Sequence, residues 1–356
     1  LGGAFALDNI GTHDAKGVSG GLRVHRVLGA VETESRFEAT HGAALTPLVG
    51  REHEIGLMLE RWQQAKEGEG QVVLLTGEPG IGKSRIAQTL RERIGDEPHT
   101  RLRYQCSPYH TSSAFYPIVE QIARAARFDR ADGPDAKLDK LEALLSQSAE
   151  DVAKVAPLFA AMLSLPVDRY PPSNLRPQRQ KEDTITTLAD QTIALSRQQP
   201  VLMIFEDAHW IDPTTLDVLG AIIDRLEDAP VLLVITYRPE FEPPWTGHGH
   251  VTLQGLNRLG RHQGEDMVAK VTSGKSLPDE VLSQIVAKTD GVPLFVEELT
   301  KTVLEAGFLK DSGDRYELDG PLPPLAIPST LQGFLVARLD RLSQVKEVAQ
   351  IGACIG

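Results

Sequence analysis

The sequence contains few cysteines and no long apolar run. Its 356 residues include two cysteines, Cys106 and Cys354. These lie far apart and lack metal-ligand partners at useful spacing, which excludes a disulfide framework and indicates a reducing compartment. No apolar run approaches the roughly 20 residues that a membrane-spanning helix needs, and no basic-then-apolar signal segment opens the chain. We therefore expect a cytoplasmic protein without a membrane partner.

Net positive charge is also lacking. The formal net charge is −12, which argues against broad electrostatic attraction to nucleic acid, so a nucleic-acid partner is not expected. With 41% hydrophobic and 24% charged residues, the composition is that of a globular protein of two or three domains. The chain begins at Leu1 and stops at Gly356 inside an apolar pattern, from which we expect a fragment of a longer protein.

Short apolar segments alternate with helical stripes through the middle of the chain. Helical spacing marks Ile86, Leu90 and Ile94, and a helical insertion covers about 114–198. Continuous apolar strands between helices predict an α/β fold with a parallel sheet covered on both faces. The predicted strands are Gln71 to Thr76, 100–106, Val201 to Phe205, Val231 to Thr236 and a short fifth at Val251 to Leu253.

A glycine-rich loop follows the first of these strands. The loop has the pattern G-x-x-x-x-G-K-[ST], and its backbone amides, with the N-terminus of the next helix, suit phosphate oxygens. In this pattern Lys83 bridges the β- and γ-phosphates, and the Ser84 hydroxyl ligates magnesium. The alternative, a turn that merely needs glycines, does not account for Lys83-Ser84. The predicted nucleotide-binding residues are Gly77, Glu78, Pro79, Gly80, Ile81, Gly82, Lys83, Ser84 and Arg85.

Two carboxylates, Glu206 and Asp207, stand at the end of the third strand. A doubly wound sheet builds its site at the carboxyl ends of its strands. One acid can hold magnesium and the other can polarise the attacking water, so Ser84, Glu206 and Asp207 are the predicted metal site. The alternative is a pair of solvated loop acids.

Three further polar or aromatic residues follow strand ends. Arg238 comes after the fourth strand, where a cation can sense the γ-phosphate; the alternative is a surface arginine before Pro239. Lys83, Glu206, Asp207 and Arg238 are the predicted catalytic residues. His209 and Trp210 follow the acid pair, and we interpret them as packing and hydrogen-bonding groups rather than catalysts.

Together these motifs resemble the Orc1-like AAA module that is related to the STAND signalling ATPases. The resemblance covers about 47–340 and also includes Val49-Gly50-Arg51-Glu52 and Gly291 to Glu298. It implies ATP as the nucleotide, with Val49 and Arg51 against the adenine, Pro293 near the base and Arg238 as a sensor. It further implies that Glu206 takes magnesium and Asp207 orients water. Many relatives place Asp first and Asp or Glu second in this pair, whereas here Glu206 precedes Asp207. Because the second acid is the shorter Asp207, we expect slow hydrolysis.

The flanks resemble proteins in which a class III nucleotide cyclase precedes such an ATPase. Residues 1–30, with strands at 4–9 and 22–28, resemble the last hairpin of a cyclase domain, and Lys16 matches a lysine near the substrate phosphates. Cys106 to His110 and Ile327 to Gln332 resemble the same proteins. The resemblance implies a fused or associated cyclase domain and a downstream helical-repeat region as partners. The metal-binding acids of a cyclase would lie upstream, so we expect no cyclase activity from these residues.

The predicted order of domains is a cyclase remnant (1–30), a linker (31–46), a P-loop ATPase core (47–258), a helical lid (259–310) and the start of a winged-helix-like or helical domain (311–356). A hairpin is predicted near Tyr316 to Leu318. The leading hypothesis is a regulatory ATPase that binds ATP with Mg²⁺, hydrolyses it slowly and closes its lid. Nucleotide-dependent self-association fits that role. The alternatives are an ATP-dependent transcription regulator and a nucleotide-binding scaffold without turnover.

Overall fold

The chain divides into two units, Leu1–Leu48 and Val49–Gly356. The computed structural model describes residues 5–13, 22–30, 46–149, 151–171 and 176–320. The predicted linker (except Thr46), Lys16, Ile327 to Gln332 and most of the segment 311–356 lie outside the described residues. The expectations for those segments therefore stay predictions.

An antiparallel hairpin is the described part of the first unit. Strand β1 (Phe5–His13) pairs with β2 (Leu22–Ala30). The prediction ended the first strand at residue 9, which is four residues too early. Gly11 adopts a φ of 97°, and its N–H donates to the Asn9 side chain at 3.0 Å. This bulge lets the pairing continue past an irregular point.

A five-stranded parallel sheet forms the centre of the second unit, in the order β4-β5-β6-β3-β7. Every residue of β5 and β6 is buried, as continuous apolar strands covered on both faces should be. The edge strand β4 is more exposed. The strand predictions are confirmed to within two residues at each end. The strands are β3 (Gln71–Thr76), β4 (Thr100–Gln105), β5 (Val201–Glu206), β6 (Val231–Tyr237) and β7 (Val251–Gly255).

Helices cover this sheet. The stripe Ile55, Met58 and Trp62 is buried on the first helix, and the segment between β4 and β5 is helical, as predicted. None of the described helices is both long enough and apolar enough to cross a membrane. The helices are α1 (Glu52–Lys66), α2 (Lys83–Ile94), α3 (Tyr116–Ala125), α4 (Pro134–Leu145), α5 (Val152–Met162), α6 (Pro177–Ser196) and α7 (Pro213–Ile223).

Three helices after the sheet form what we call the lid: α8 (Arg261–Val271), α9 (Asp279–Thr289) and α10 (Pro293–Glu305). They bury an apolar core of their own, which includes Val281, Ile285 and Val296. A small hairpin follows, formed by β8 (Leu309–Asp311) and β9 (Tyr316–Leu318), at the predicted position. The lid therefore has a core distinct from that of the sheet.

The buried carboxylate of Asp212 fixes the segment that follows the predicted acid pair. It accepts hydrogen bonds from the N–H groups of Thr214 (3.1 Å) and Thr215 (2.9 Å), and from the Thr215 hydroxyl. It also accepts the Phe115 N–H at 3.2 Å, and so joins the start of α7 to the loop before α3. Because Asp212 is 1% exposed, no water replaces these partners easily.

We expect Asp212→Ala to lower the free energy of unfolding by about 2–4 kcal/mol, since it removes a helix cap and leaves buried donors unpaired. Urea unfolding measures the change. Asp224→Ala is the matched control, because Asp224 lies at the other end of α7 with its side chain 64% exposed. The control should stay within about 0.5 kcal/mol of the parent. Equal destabilisation by the two changes would contradict the role of Asp212.

Candidate functional site

The glycine loop, residues 77–84, joins β3 to α2 at the carboxyl edge of the sheet. Gly80 (φ 79°) and Gly82 (φ 104°) occupy the left-handed region that glycine adopts without strain. A Cβ atom on Gly77 would lie 2.8 Å from Ile81 Cγ2, so the loop curls closely on itself. Gly82 is the N-cap of α2 and brings no side chain to that end. The positive end of the helix is thus left for an anion.

Lys83 is buried, and its ammonium group lies inside the loop. Its Nζ donates to the carbonyl oxygens of Gly77 (2.5 Å) and Glu78 (3.0 Å). Burial lowers the pKa of Lys83 from 10.5 to about 8; the charge of Asp207 opposes this shift, and that of Arg238 adds to it. These charges act on Lys83 because both residues lie near it. Three of the four predicted catalytic residues, Lys83, Asp207 and Arg238, are therefore neighbours in space.

Glu206 ends β5 with 3% of its surface exposed. Its Oε1 accepts a hydrogen bond from Arg103 Nε at 2.9 Å, and Arg103 Nη2 contacts the same oxygen. Burial raises the pKa of Glu206, whereas Arg103 and a hydrogen bond from the Ser84 side chain oppose the rise. Ser84 and Glu206 thus place a hydroxyl and a carboxylate side by side. Hard oxygen donors of this kind fit Mg²⁺.

Asp207 turns the chain out of the sheet. Its φ of 57° is left-handed, and a 3-10 turn at Ala208–Trp210 follows. Its N–H donates to Thr236 Oγ1 at 3.1 Å, and its carboxylate accepts a hydrogen bond from Gln105 Nε2 at 2.9 Å. The first bond ties the backbone of Asp207 to β6, and the second holds its carboxylate on the side of β4.

Arg238 follows β6 and lies against Trp210. Its guanidinium carbon is 4.9 Å from the centre of the Trp210 ring. His209 also contacts that ring, with 4.3 Å between ring centroids. Burial lowers the pKa of His209. His209 packs as predicted, but hydrogen bonding was also expected of it. Within the described residues both of its ring nitrogens are buried and neither has a hydrogen-bond partner.

The residues predicted to lie near the base contact the loop or the lid, or belong to the lid. Arg51 is buried, and its Nη2 donates to the carbonyl oxygens of Ile81 (3.3 Å) and Asn257 (2.6 Å). Val49 packs against the apolar core of the lid. Pro293 begins α10, as predicted from its position. Their contact with a base stays a prediction.

The remaining loop residues make protein contacts. Arg85 pairs with Glu92 at 3.3 Å on the same helix. Glu78 accepts two hydrogen bonds from Arg258 Nη2, at 3.0 Å and 2.8 Å. Arg258 also contacts Asp290 at the end of α9. The loop is thus joined to the lid through its second residue.

Residues 47–235, more than half of the chain, match the family model of the AAA ATPase domain. The chain belongs to the AAA ATPase family. The match and the five parallel strands confirm the predicted P-loop α/β fold. AAA ATPases bind ATP, typically with magnesium, and the loop of this ATPase has the backbone shape for phosphate.

Two relatives and one solved structure show how far the similarity extends. An uncharacterized protein of Rhizobium meliloti (strain 1021) is 29% identical over 358 residues, covering 100% of this chain and 34% of the relative. Adenylate cyclase type 10 of Rattus norvegicus is 22% identical over 268 residues, covering 72% of this chain and 16% of the relative. This ATPase therefore spans about a third of the first and about a sixth of the second. The Aeropyrum pernix Orc1 protein in complex with DNA is 14% identical with a TM-score of 0.48, covering 85% of this chain and 69% of that one.

Sequence reasoning missed four residues of this site. Arg103 and Gln105 stand on the same face of β4, and each contacts one of the two acids. Their alternation in the sequence was visible, but their partners depended on the pairing of β4 with β5. Trp210 was interpreted as a packing and hydrogen-bonding group, without a partner among the site residues. Arg258 carried no local signal, because its partner Glu78 lies 180 positions earlier in the chain.

We expect Lys83→Ala to weaken binding of ATP by roughly 10- to 100-fold, because a charged hydrogen bond contributes about 1.5–3 kcal/mol. Fluorescence titration with a labelled ATP analogue measures the affinity. Lys66→Ala is the control, since Lys66, the last residue of α1, pairs with Glu97 rather than with the loop. An affinity within a few-fold of the parent in Lys83→Ala would show that the site is misassigned.

Proposed function

We propose that this chain is a regulatory ATPase module in which ATP binding and slow hydrolysis switch the position of the lid against the sheet. The observation that carries the proposal is the direct contact between the lid and the phosphate-binding loop. A ligand moves a two-state equilibrium only through contacts that differ between the states. A loop that touches both the ligand and the lid supplies such contacts.

The start of α10 supplies the first contact. The Leu294 N–H donates to the Gly80 carbonyl oxygen at 3.2 Å. A Cβ atom on Gly80 would lie 3.1 Å from Leu294 Cβ and 3.3 Å from Val292 Cγ1, so only glycine allows so close an approach. A shift of the loop on binding phosphate would therefore reach α10 directly.

Arg258 supplies the second contact. The backbone next to it is joined to the segment that precedes α10. The Leu259 N–H donates to the Gly291 carbonyl oxygen at 2.8 Å. A Cβ on Gly291 would lie 2.3 Å from the Leu259 carbonyl oxygen. The segments that precede α8 and α10 therefore pack closely at Leu259 and Gly291. Arg258, next to Leu259, forms an ion pair with Glu78 of the loop.

Charge placement supports phosphate binding and hydrolysis at this edge. Lys83 and Arg238 would bind the terminal phosphates, and Asp207 would orient the attacking water. Ser84 and Glu206 would hold Mg²⁺, which when bound neutralises charge on the phosphate oxygens. The slow rate follows from the short Asp207 side chain, which its hydrogen bond from Gln105 draws toward β4. A scaffold that binds nucleotide without turnover is the second candidate, and the same restraint on Asp207 favours it.

Two observations suggest the output of the module. Residues 5–13 and 22–30, which resemble the end of a cyclase domain in sequence, form an antiparallel hairpin, and one relative is named adenylate cyclase type 10. We therefore propose that the switch controls a fused or associated cyclase, with a helical-repeat region as sensor. A relation to the STAND ATPases, a cytoplasmic location and nucleotide-dependent self-association belong to the same proposal.

Asp207→Ala should reduce phosphate release by about 100-fold, because a positioned general base contributes roughly 10²- to 10⁴-fold. The affinity for ATP should change by less than about threefold, since Asp207 acts on water rather than on the nucleotide. Asp228→Ala, a change at an exposed aspartate, is the control. If the parent releases phosphate at the background rate, and Asp207→Ala does not change that rate, the scaffold without turnover is favoured instead.

Arg258→Gln should speed the release of bound ATP analogue by roughly two- to fivefold, because exposed ion pairs are individually weak and act mainly on dissociation. A chase with unlabelled ATP in a stopped-flow fluorimeter measures the rate. Arg261→Gln is the matched control, since Arg261 lies on the lid and, among the residues that the structure describes, pairs within α8, with Glu265 at 2.9 Å. Identical release rates for the two variants would count against coupling between lid and loop.

A further inference from the structure

A stack of side chains stands directly beyond the acid pair, formed by Trp210 and Arg238. We infer that Trp210 is a positioning residue, which holds the Arg238 guanidinium toward the phosphate end of the nucleotide. This inference rests on the proposed function and adds to it a residue that the family resemblance does not assign. It also assigns a specific role to Trp210, which the sequence analysis interpreted as a packing and hydrogen-bonding group.

The stack on Trp210 is the better restraint on the Arg238 side chain. The guanidinium carbon lies 4.9 Å from the Trp210 ring centre, inside the range of about 6 Å for a cation–π contact. The ion pair of Arg238 with Glu240 is 4.0 Å long, the outer limit of such a contact, and the Glu240 side chain is 63% exposed. An ion pair so long and so exposed holds a side chain weakly. A planar guanidinium stacks on an aromatic face, and indole is the ring that binds cations best.

The platform itself is held in place by the turn that carries the acids. The Trp210 N–H donates to the Asp207 carbonyl oxygen at 2.9 Å, and the Ile211 N–H donates to the Ala208 carbonyl oxygen at 3.1 Å. The indole packs against the core of the sheet on one side and contacts the His209 ring. The turn after Asp207 therefore fixes the backbone that carries the ring, and packing restrains the ring itself.

Arg238 follows the end of β6 beside the start of the glycine loop, since Tyr237 is paired with Thr76. The charges of Arg238 and Asp207 both act on Lys83. Two cations beside a loop shaped for phosphate would repel one another unless an anion lies between them. A contact that holds Arg238 near Lys83 must therefore overcome this repulsion. The neutral Trp210 ring can supply such a contact without adding charge. Loss of the platform would affect the terminal phosphate more than the rest of the nucleotide.

A packing role for Trp210 makes a different prediction. If the indole only fills space, its replacement lowers stability and affects ATP and ADP alike. If it positions Arg238, its replacement weakens ATP selectively and has no further effect once Arg238 is gone. The affinity ratio of ATP to ADP and a double-mutant cycle with Arg238 separate these roles.

The experiment compares four variants of the full chain with the parent. They are Trp210→Leu, Trp210→Phe, Arg238→Ala and the double variant Trp210→Leu/Arg238→Ala. Affinities for Mg·ATP and Mg·ADP are measured by titration, and thermal unfolding is followed in parallel. We expect Trp210→Leu to weaken ATP binding roughly three- to tenfold while the affinity for ADP stays within about twofold. Trp210→Phe, which keeps a ring, should lose about twofold. The double variant should bind ATP as Arg238→Ala does.

Additive losses in the double variant, or equal losses of ATP and ADP binding in Trp210→Leu, would overturn the positioning role. If Arg238→Ala binds ATP and ADP as the parent does, Trp210 has nothing to position and the inference is again wrong, whereas the proposed function stands as long as Lys83→Ala loses ATP. If Trp210→Leu does not fold, Trp210→Phe carries the same test, and an unchanged ratio of ATP to ADP affinity in it overturns the inference. Absence of ATP binding by the parent chain would instead remove the proposed function itself.

Discussion

The shared carboxyl edge of the parallel sheet is the constraint on which the rest of the site depends. The glycine loop follows β3, the acid pair ends β5, and Arg238 follows β6. Parallel pairing forces these three chain ends to the same side, although more than a hundred residues separate the first from the second. β3 lies between β6 and β7, so the strand order changes direction at the loop. Such a point is where open α/β sheets form a crevice for ligands.

The two acids at this edge are contacted by polar side chains of a neighbouring strand. Glu206 is buried against Arg103, and Asp207 is held by Gln105. Both partners come from β4, the edge strand next to β5. A buried carboxylate without a partner would be costly, so the polar face of β4 is part of what allows two acids to stand at the end of an apolar strand. Lys83 is satisfied differently, by carbonyl oxygens of its own loop.

The lid is joined to the loop through several weak contacts rather than one strong one. An exposed ion network at Arg258, a backbone hydrogen bond to Gly80 and the buried Arg51 all meet within a few residues of the loop. Contacts of this size hold a preferred arrangement yet can be exchanged when a ligand changes the loop. That balance suits a switch better than a permanent interface, and it gives the proposed regulatory role a physical basis in the fold.

Local patterns in the sequence determined the strands, the phosphate-binding loop, the acids at the end of β5 and the start of α10 at Pro293. Each depends on short-range rules, namely apolar periodicity, glycine at left-handed positions and the fixed spacing of a loop. The extension of β1 past residue 9 was missed, because it depends on the cross-strand pairing with β2 that the bulge at Gly11 preserves. Only the tertiary structure decided that Arg103 pairs with Glu206, that Arg258 reaches Glu78 and that Arg238 lies on Trp210. These partners stand far apart in the chain, and the register of a parallel sheet and the docking of a lid, rather than any local signal, bring them together.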